Sequence, residues 1–106
     1  FEKASMDRLG LMKEILPRYR STYFNHIFAG GYSAGYYSYV WSEVLDSDAF
    51  EAFEESGDIF NKELAAKFRH EVLAPGGKRD PMEMYVAFRG REPLVDALLR
   101  NRGFKK

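Results

Sequence analysis

The densest group of residues that could do chemistry is the stretch HIFAGGYSAGYYSYVW, residues 26–41, which holds one histidine and four tyrosines. A buried phenol must find a hydrogen-bond partner for its hydroxyl, whereas Phe would supply similar apolar area without that requirement. The stretch therefore indicates one of two arrangements. Either the tyrosines edge a core with their hydroxyls in water, or they form a row of donors facing a cleft.

Three of the tyrosines share a face if the stretch is helical. A helix is predicted from about Tyr32 to about Glu55, since no Pro or Gly follows Gly35 in that range. At about 100° per residue, Tyr32, Tyr36 and Tyr39 lie within about 60° of one another. An ordinary core stripe lies roughly opposite and contains Trp41, Leu45 and Ala52. Spacing alone leaves both arrangements open.

The elements around this helix are also helical, so we predict an all-α fold of about five helices. Phe1 to about Leu9 is amphipathic, and the segment from Pro17 to Gly31 has no clean period and is predicted to be an ordered loop. Caps and breakers predict three further helices: Asn61 to about Leu73, Met82 to about Phe88 after Asp80-Pro81, and Leu94 to about Arg102 after Glu92-Pro93.

Composition narrows the function classes. The 106 residues are 45% hydrophobic and 30% charged, with 16 basic and 16 acidic side chains and no cysteine. We therefore expect one globular domain without a disulfide framework, and neither a nucleic acid nor a membrane as partner. The chain opens at Phe1 inside a charged, apolar-periodic stretch, which we interpret as part of a longer protein. No targeting segment is visible, so the compartment stays open between cytoplasm and periplasm.

Motifs for metal binding are absent. His70-Glu71 begins like the zinc-protease sequence HExxH, but the position of the second histidine is Ala74. His26 has no second histidine nearby, so no metal is expected to bind this chain. Arg18 and Arg20 flank Tyr19 and either bind a carboxylate or phosphate or pair with the acidic helix.

Two long strings resemble the C-terminal region of the thimet oligopeptidase family of zinc metallopeptidases. They are HIFAGGYSAGYYSYVWSEVLDSDAF, from His26 to Phe50, and LAPGGKRDPMEMYVAFRGREPLVDALLRNRGF, from Leu73 to Phe104. The run RYRSTYF and the six positions from His26 to Tyr32 favour the peptidyl-dipeptidase Dcp branch.

The resemblance implies roles for individual residues. In this family HExxH and a later Glu hold the zinc, upstream of the region matched here. His26 and Tyr32 are similar to substrate-backbone contacts, Tyr36 to a further substrate-side residue, and Tyr39 to the hydroxyl that donates to the oxyanion. Gly30 and Gly31 resemble the hinge of a loop that closes over peptide.

Two functions of different class follow. The first is the C-terminal substrate-binding part of a zinc peptidyl-dipeptidase, which releases C-terminal dipeptides when joined to the upstream half of the same polypeptide. Alone, such a piece would be inactive and would hold no zinc. The alternative is an autonomous, non-catalytic helical interaction module whose tyrosine face and Arg18 and Arg20 bind a partner.

Overall fold

Helices and turns make up all the regular structure in the computed structural model, which describes residues 1–106. The five α-helices are α1 (Glu2–Arg8), α2 (Ser38–Glu55), α3 (Lys62–Phe68), α4 (Pro81–Arg89) and α5 (Asp96–Asn101). The prediction of an all-α fold is therefore confirmed. The chain divides into two compact units, residues 1–38 and 39–106, which we describe separately.

In the first unit, Glu2 at the start of α1 holds the segment that follows Pro17. Its carboxylate accepts hydrogen bonds from the Ser21 backbone N–H at 2.6 Å, from the Ser21 hydroxyl at 2.9 Å and from Arg20 at 3.1 Å. The backbone bond from Ser21 is the strongest of the interactions that hold the pKa of Glu2 below its usual range. The loop from Pro17 to Gly31 is thus tied to α1 at one end.

The start of α2 was predicted six residues too early, because the backbone before Ser38 turns repeatedly. Gly30–Tyr32 forms a short 3-10 turn, and Ala34 has a positive φ of 52°. A left-handed residue interrupts any right-handed helix that runs through it. From Ser38 the helix continues for 18 residues to Glu55, where the sequence predicted its end.

The caps of α3 and α4 agree with the sequence. The Asn61 side chain accepts a hydrogen bond from the Leu64 N–H at 3.0 Å, and α3 continues as a π-helical turn to Leu73. Asp80 accepts from the Met82 N–H at 2.9 Å and the Glu83 N–H at 3.2 Å. Each cap satisfies amide groups that the first turn of a helix leaves unpaired.

The last helix begins later than predicted. Its first residue is Asp96, and the side chain of its N-cap residue, Val95, makes no capping hydrogen bond. Its end is as expected: Gly103 has a φ of 74°, and the Phe104 N–H donates to the Leu99 carbonyl at 2.8 Å. This is the Schellman arrangement in which a left-handed Gly closes the helix.

Phe88 on α4 is the centre of the core of the second unit, with 2% of its surface exposed. Its ring meets Phe68 edge-on at 5.0 Å and lies 6.4 Å from Phe53. The other buried apolar residues come from α2, α4 and α5: Val44, Ala52, Met84, Tyr85, Ala97 and Leu98. No helix combines the length and the apolar character needed to cross a bilayer.

Removing the α4 cap tests how much this local structure contributes. We expect Asp80→Ala to lower the free energy of unfolding by about 1 kcal/mol, because the amides of Met82 and Glu83 lose their acceptor. Chemical denaturation measures the change. Glu54→Ala, at an exposed position on α2, is the control and should stay within about 0.5 kcal/mol of the parent. Equal effects for the two variants would contradict a role for the cap.

Candidate functional site

Three of the four sequence-predicted site residues meet in the first unit. The ring centroids of His26 and Tyr32 are 5.9 Å apart, those of His26 and Tyr36 are 5.6 Å apart, and those of Tyr32 and Tyr36 are 5.8 Å apart. We call these residues the ring triad. His26 and Tyr32 are exposed, and Tyr36 is half-buried. The triad thus presents an imidazole and phenols, all able to donate hydrogen bonds, at the surface of this unit.

Further aromatic rings support the triad from one side. Phe24 lies edge-on to Tyr36 at 5.0 Å and 5.9 Å from His26, and Tyr19 stacks on Phe24 at 5.0 Å. Offset and edge-on pairs of this kind are favourable beyond the area they bury. The half-buried Phe24 therefore fixes two of the triad rings from behind.

The triad is assembled by a folded loop and not by a helix face. The Ala29 N–H donates to the Asn25 carbonyl at 2.9 Å, and the Ala34 N–H donates to the Ile27 carbonyl at 3.3 Å. The Ser33 hydroxyl reaches the carbonyls of Phe28 and Gly30, each at 3.1 Å. These bonds fold residues 25–35 back on themselves, which brings the ring of Tyr32 beside His26.

The common helix face predicted for Tyr32, Tyr36 and Tyr39 is therefore wrong, since only Tyr39 lies on α2. Tyr39 is the second residue of α2 and belongs to the second unit. It is 56% exposed, and its neighbour Tyr37 is 72% exposed. The substrate and oxyanion roles that the resemblance assigns remain predictions.

The two glycines of the predicted hinge differ. Gly30 has a φ of 69°, a conformation that L residues adopt at a cost, whereas Gly31 has no positive φ and open space where a Cβ would project. Gly30 is therefore required by the loop's shape. The shape of the loop does not require a glycine at position 31, so a hinge role for Gly31 would not follow from its backbone conformation.

The arginines of the first unit take different positions. Arg20 pairs with Glu2 and not with the acidic helix, and Arg18 lies over the Tyr19 ring, 5.3 Å from its centroid. Arg18 thus makes a cation–π contact next to the aromatic rings that support the triad.

No group of three His, Cys, Asp or Glu side chains in the chain has the geometry to hold a metal ion. His26 is surrounded by aromatic rings, and His70 lies on the π-helical turn after α3. The zinc that the resemblance implies therefore does not fit the residues of this chain. That its ligands lie elsewhere in the protein remains a prediction.

Sequence reasoning missed a buried ionic cluster in the second unit. Asp48 on α2 has no exposed surface, and its carboxylate accepts the Tyr85 hydroxyl at 2.5 Å. Arg91 donates to both carboxylate oxygens, at 2.8 Å and 3.1 Å. This two-pronged geometry is the strongest form of an arginine–carboxylate pair.

The cluster continues along α2. Asp48, Glu51 and Glu55 follow the i, i+3, i+7 spacing that places side chains on one face of a helix, and we call them the acidic stripe. Arg89 donates to both oxygens of Glu55, at 2.6 Å and 2.9 Å, and Arg100 pairs with Glu51. The sequence did carry this signal, since the stripe's spacing matches a helix and basic residues follow in the closing segment.

Burial alone would raise the pKa of the Asp48 carboxyl. Hydrogen bonds from Arg91 and Tyr85 outweigh that effect and hold the pKa below its usual range. Burial, together with the hydrogen bond to Asp48, raises the pKa of the Tyr85 hydroxyl. At neutral pH the cluster is therefore a carboxylate held by a phenol and a guanidinium.

Residues 2–104 match the sequence profile of Peptidase family M3. Oligopeptidase A of Haemophilus influenzae is 59% identical over 80 residues, or 76% of this chain and 12% of that protein. Oligopeptidase A of Escherichia coli is 55% identical over 82 residues, or 77% of this chain and 12% of that protein. The dipeptidyl carboxypeptidase of Salmonella typhimurium is 46% identical over 90 residues, or 85% of this chain and 13% of that protein. The chain thus spans 12–13% of the length of these relatives.

Substituting the two glycines tests the loop. We expect Gly30→Ala to destabilise the loop locally by about 1–2 kcal/mol, because Ala is strained at a positive φ, and Gly31→Ala to be tolerated. Amide exchange at Ala34, whose N–H bonds the Ile27 carbonyl, should accelerate roughly 5- to 30-fold in Gly30→Ala alone. Similar acceleration of exchange in Gly31→Ala would contradict the assignment of the positive φ to Gly30.

The ionic cluster predicts acid sensitivity. The pKa of the Asp48 carboxyl is lower in the folded state than in the unfolded state. The stabilisation that this carboxylate contributes is therefore present above its unfolded pKa and is lost as pH falls through its folded pKa. We expect the thermal midpoint to drop as pH decreases below about 4. Asp48→Asn should melt lower at pH 7 and depend less on pH. An unchanged midpoint from pH 7 to pH 2.5 in the parent would contradict the cluster.

Proposed function

Because this chain belongs to Peptidase family M3, we propose that it is the C-terminal, substrate-binding part of a zinc metallopeptidase. The observation that carries the proposal is the ring triad, which gathers His26, Tyr32 and Tyr36 at an exposed surface. The activity belongs in this proposal to a longer protein, since the chain spans only 12–13% of the length of its relatives. A non-catalytic interaction module explains the tyrosines less well, because family membership points to a peptidase.

The triad is suited to an extended peptide. Peptide backbones present carbonyl acceptors at regular intervals, and imidazole N–H and phenol O–H groups are matching donors. In this proposal His26 and Tyr32 bind substrate carbonyls, and Tyr36 adds a further contact from its half-buried position. Phe24 keeps the rings in place before substrate arrives, so little ordering is required on binding.

Tyr39 has the chemistry for transition-state stabilisation. When water adds to a peptide carbonyl, the carbonyl oxygen becomes negatively charged, and a fixed hydroxyl donor then binds it more strongly than it binds the ground state. The first turn of α2 carries this hydroxyl. Tyr39 is therefore the residue of this chain to which we assign a catalytic role.

The zinc ion belongs in this proposal to the upstream half of the same polypeptide. Zinc bound there would supply the Lewis-acid chemistry for peptide hydrolysis. The residues of this chain bind and orient the peptide, and the loop at Gly30 and Gly31 closes over it to exclude water. The isolated chain is accordingly expected to cleave no peptide and to retain no zinc after dialysis.

Two modes of cleavage are compatible with the relatives. Release of C-terminal dipeptides follows from the Dcp-like features around His26, whereas higher identity to oligopeptidase A favours cleavage within short peptides. Amidating the substrate's C-terminus separates them. A peptidyl-dipeptidase requires the free carboxylate and should lose activity on the amidated peptide, while an oligopeptidase should cleave both forms at the same bond, as mass spectrometry of the products would show.

The assignment of Tyr39 is tested by removing its hydroxyl in the full-length enzyme. We expect Tyr39→Phe to lower kcat by about 10²–10³, with little change in KM, because the donor acts mainly in the transition state. Steady-state kinetics on a short peptide measure this, and the thermal midpoint should stay the same.

Tyr37→Phe is the matched control, since Tyr37 lies outside α2 and is 72% exposed. Its kcat should equal that of the parent. A Tyr39→Phe enzyme with parental kcat would refute the oxyanion role.

A further inference from the structure

Tyr39 and Asp48 lie on opposite sides of α2. They are nine positions apart, which at about 100° per residue places them about 180° from each other around the helix axis. Asp48 is fully buried and Tyr39 is 56% exposed, as this geometry requires. The helix is thus held at its back by the acidic stripe and carries the tyrosine at its front.

The contacts of Asp48 restrict how α2 can rotate. Tyr85 approaches the carboxylate from α4, and Arg91 approaches it from the segment after α4. Arg89, whose side chain is 8% exposed, lies with its Nε 3.5 Å from the same carboxylate. The hydrogen bonds from Tyr85 and Arg91 fix the direction and depth of the buried carboxylate, because leaving its acceptors unpaired in the interior is costly.

Small rotations of a helix matter at its surface. With side chains, a helix has a radius of about 5–6 Å, so a rotation of roughly 10° moves a side-chain tip by about 1 Å. A displacement of about 1 Å at a reacting group can lower a rate by about 10²-fold. Hydrogen bonds to a carboxylate constrain such a rotation more sharply than apolar contacts do, since apolar contacts are not directional.

We infer that Asp48, Tyr85 and Arg91 are positioning residues that fix the rotation of α2 and so set the direction of the Tyr39 hydroxyl. This inference rests on the proposed function, because it assigns a purpose to the orientation of Tyr39. It extends that function to three residues remote from substrate.

The test is a double-mutant cycle in the full-length enzyme. Tyr85→Phe keeps the buried ring and removes only the hydroxyl, which donates to Asp48 and lies 3.5 Å from the Leu45 carbonyl. Arg91→Lys keeps the charge but loses the two-pronged geometry. Each is made alone and together with Tyr39→Phe. Because Arg91→Lys risks misfolding, the test relies on the milder Tyr85→Phe, and thermal midpoints and active-enzyme concentrations are measured for every variant.

We expect Tyr85→Phe to lower kcat about 3- to 10-fold in the parent, with KM changed less than about twofold, and to have almost no effect when Tyr39 is already Phe. This loss of additivity is the signature of a residue that acts through the Tyr39 hydroxyl. Tyr37→Phe, which also removes one phenol hydroxyl, should combine additively with both variants.

A merely structural role predicts a different pattern. If Tyr85→Phe only reduced the folded fraction, the same factor would appear in both backgrounds, and correcting for active enzyme would abolish it. That result, or an unchanged kcat in Tyr85→Phe, overturns the inference while leaving the proposed function intact. A full-length parent protein that cleaves no peptide overturns both.

Discussion

The pairing of the Asp48 carboxylate is the interaction on which the second unit depends. A charge without exposed surface is stable only when donors replace the water it has lost, and here a phenol and an arginine do so. The apolar core beside it is small and centred on Phe88. The directional contacts that α2 makes with the later part of the chain therefore come largely from charged groups. These contacts specify one arrangement, whereas apolar contacts alone would allow several.

The first unit is ordered by aromatic and backbone contacts and not by a buried charge. It has no comparable core, and its aromatic rings form a series in which Tyr19 stacks on Phe24 and Phe24 meets Tyr36 edge-on. Backbone and hydroxyl hydrogen bonds within residues 25–35 give the loop its shape. Such a surface presents donors without burying them. The proposed peptide-binding role requires this, since the groups must be exposed and already in place when substrate arrives.

Capping chemistry made α3 and α4 predictable, because Asn61 and Asp80 act within three residues of their own positions. The start of α2 was not predictable in this way. A left-handed Ala34 has no sequence signature, since Ala is compatible with a helix and the strain is imposed by the loop around it. The assumption of a single helix then placed Tyr32 and Tyr36 on the wrong element, although family resemblance had selected residues whose rings do meet.

The ionic cluster escaped prediction for a different reason. Its members are spread along the chain, and no local rule connects Asp48 to Tyr85 or Arg91. Helical spacing identifies the acidic stripe, but a solvated acidic face has the same spacing. Only the tertiary fold shows which carboxylate is buried. Matches to known proteins establish the family and not the roles of these residues, which rest on their geometry.

The members of the ionic cluster are synthesised at different times, so the cluster cannot form until the last of them has been made. Arg91 follows Asp48 by 43 positions in the chain. At a translation rate of about 5–20 residues per second, the carboxylate waits roughly 2–9 s for that partner to be made, and longer for it to leave the ribosome. Until then α2 cannot bury Asp48 at low cost, so this side of the helix stays hydrated on the nascent chain. The final docking of the helix therefore follows the synthesis of Arg91.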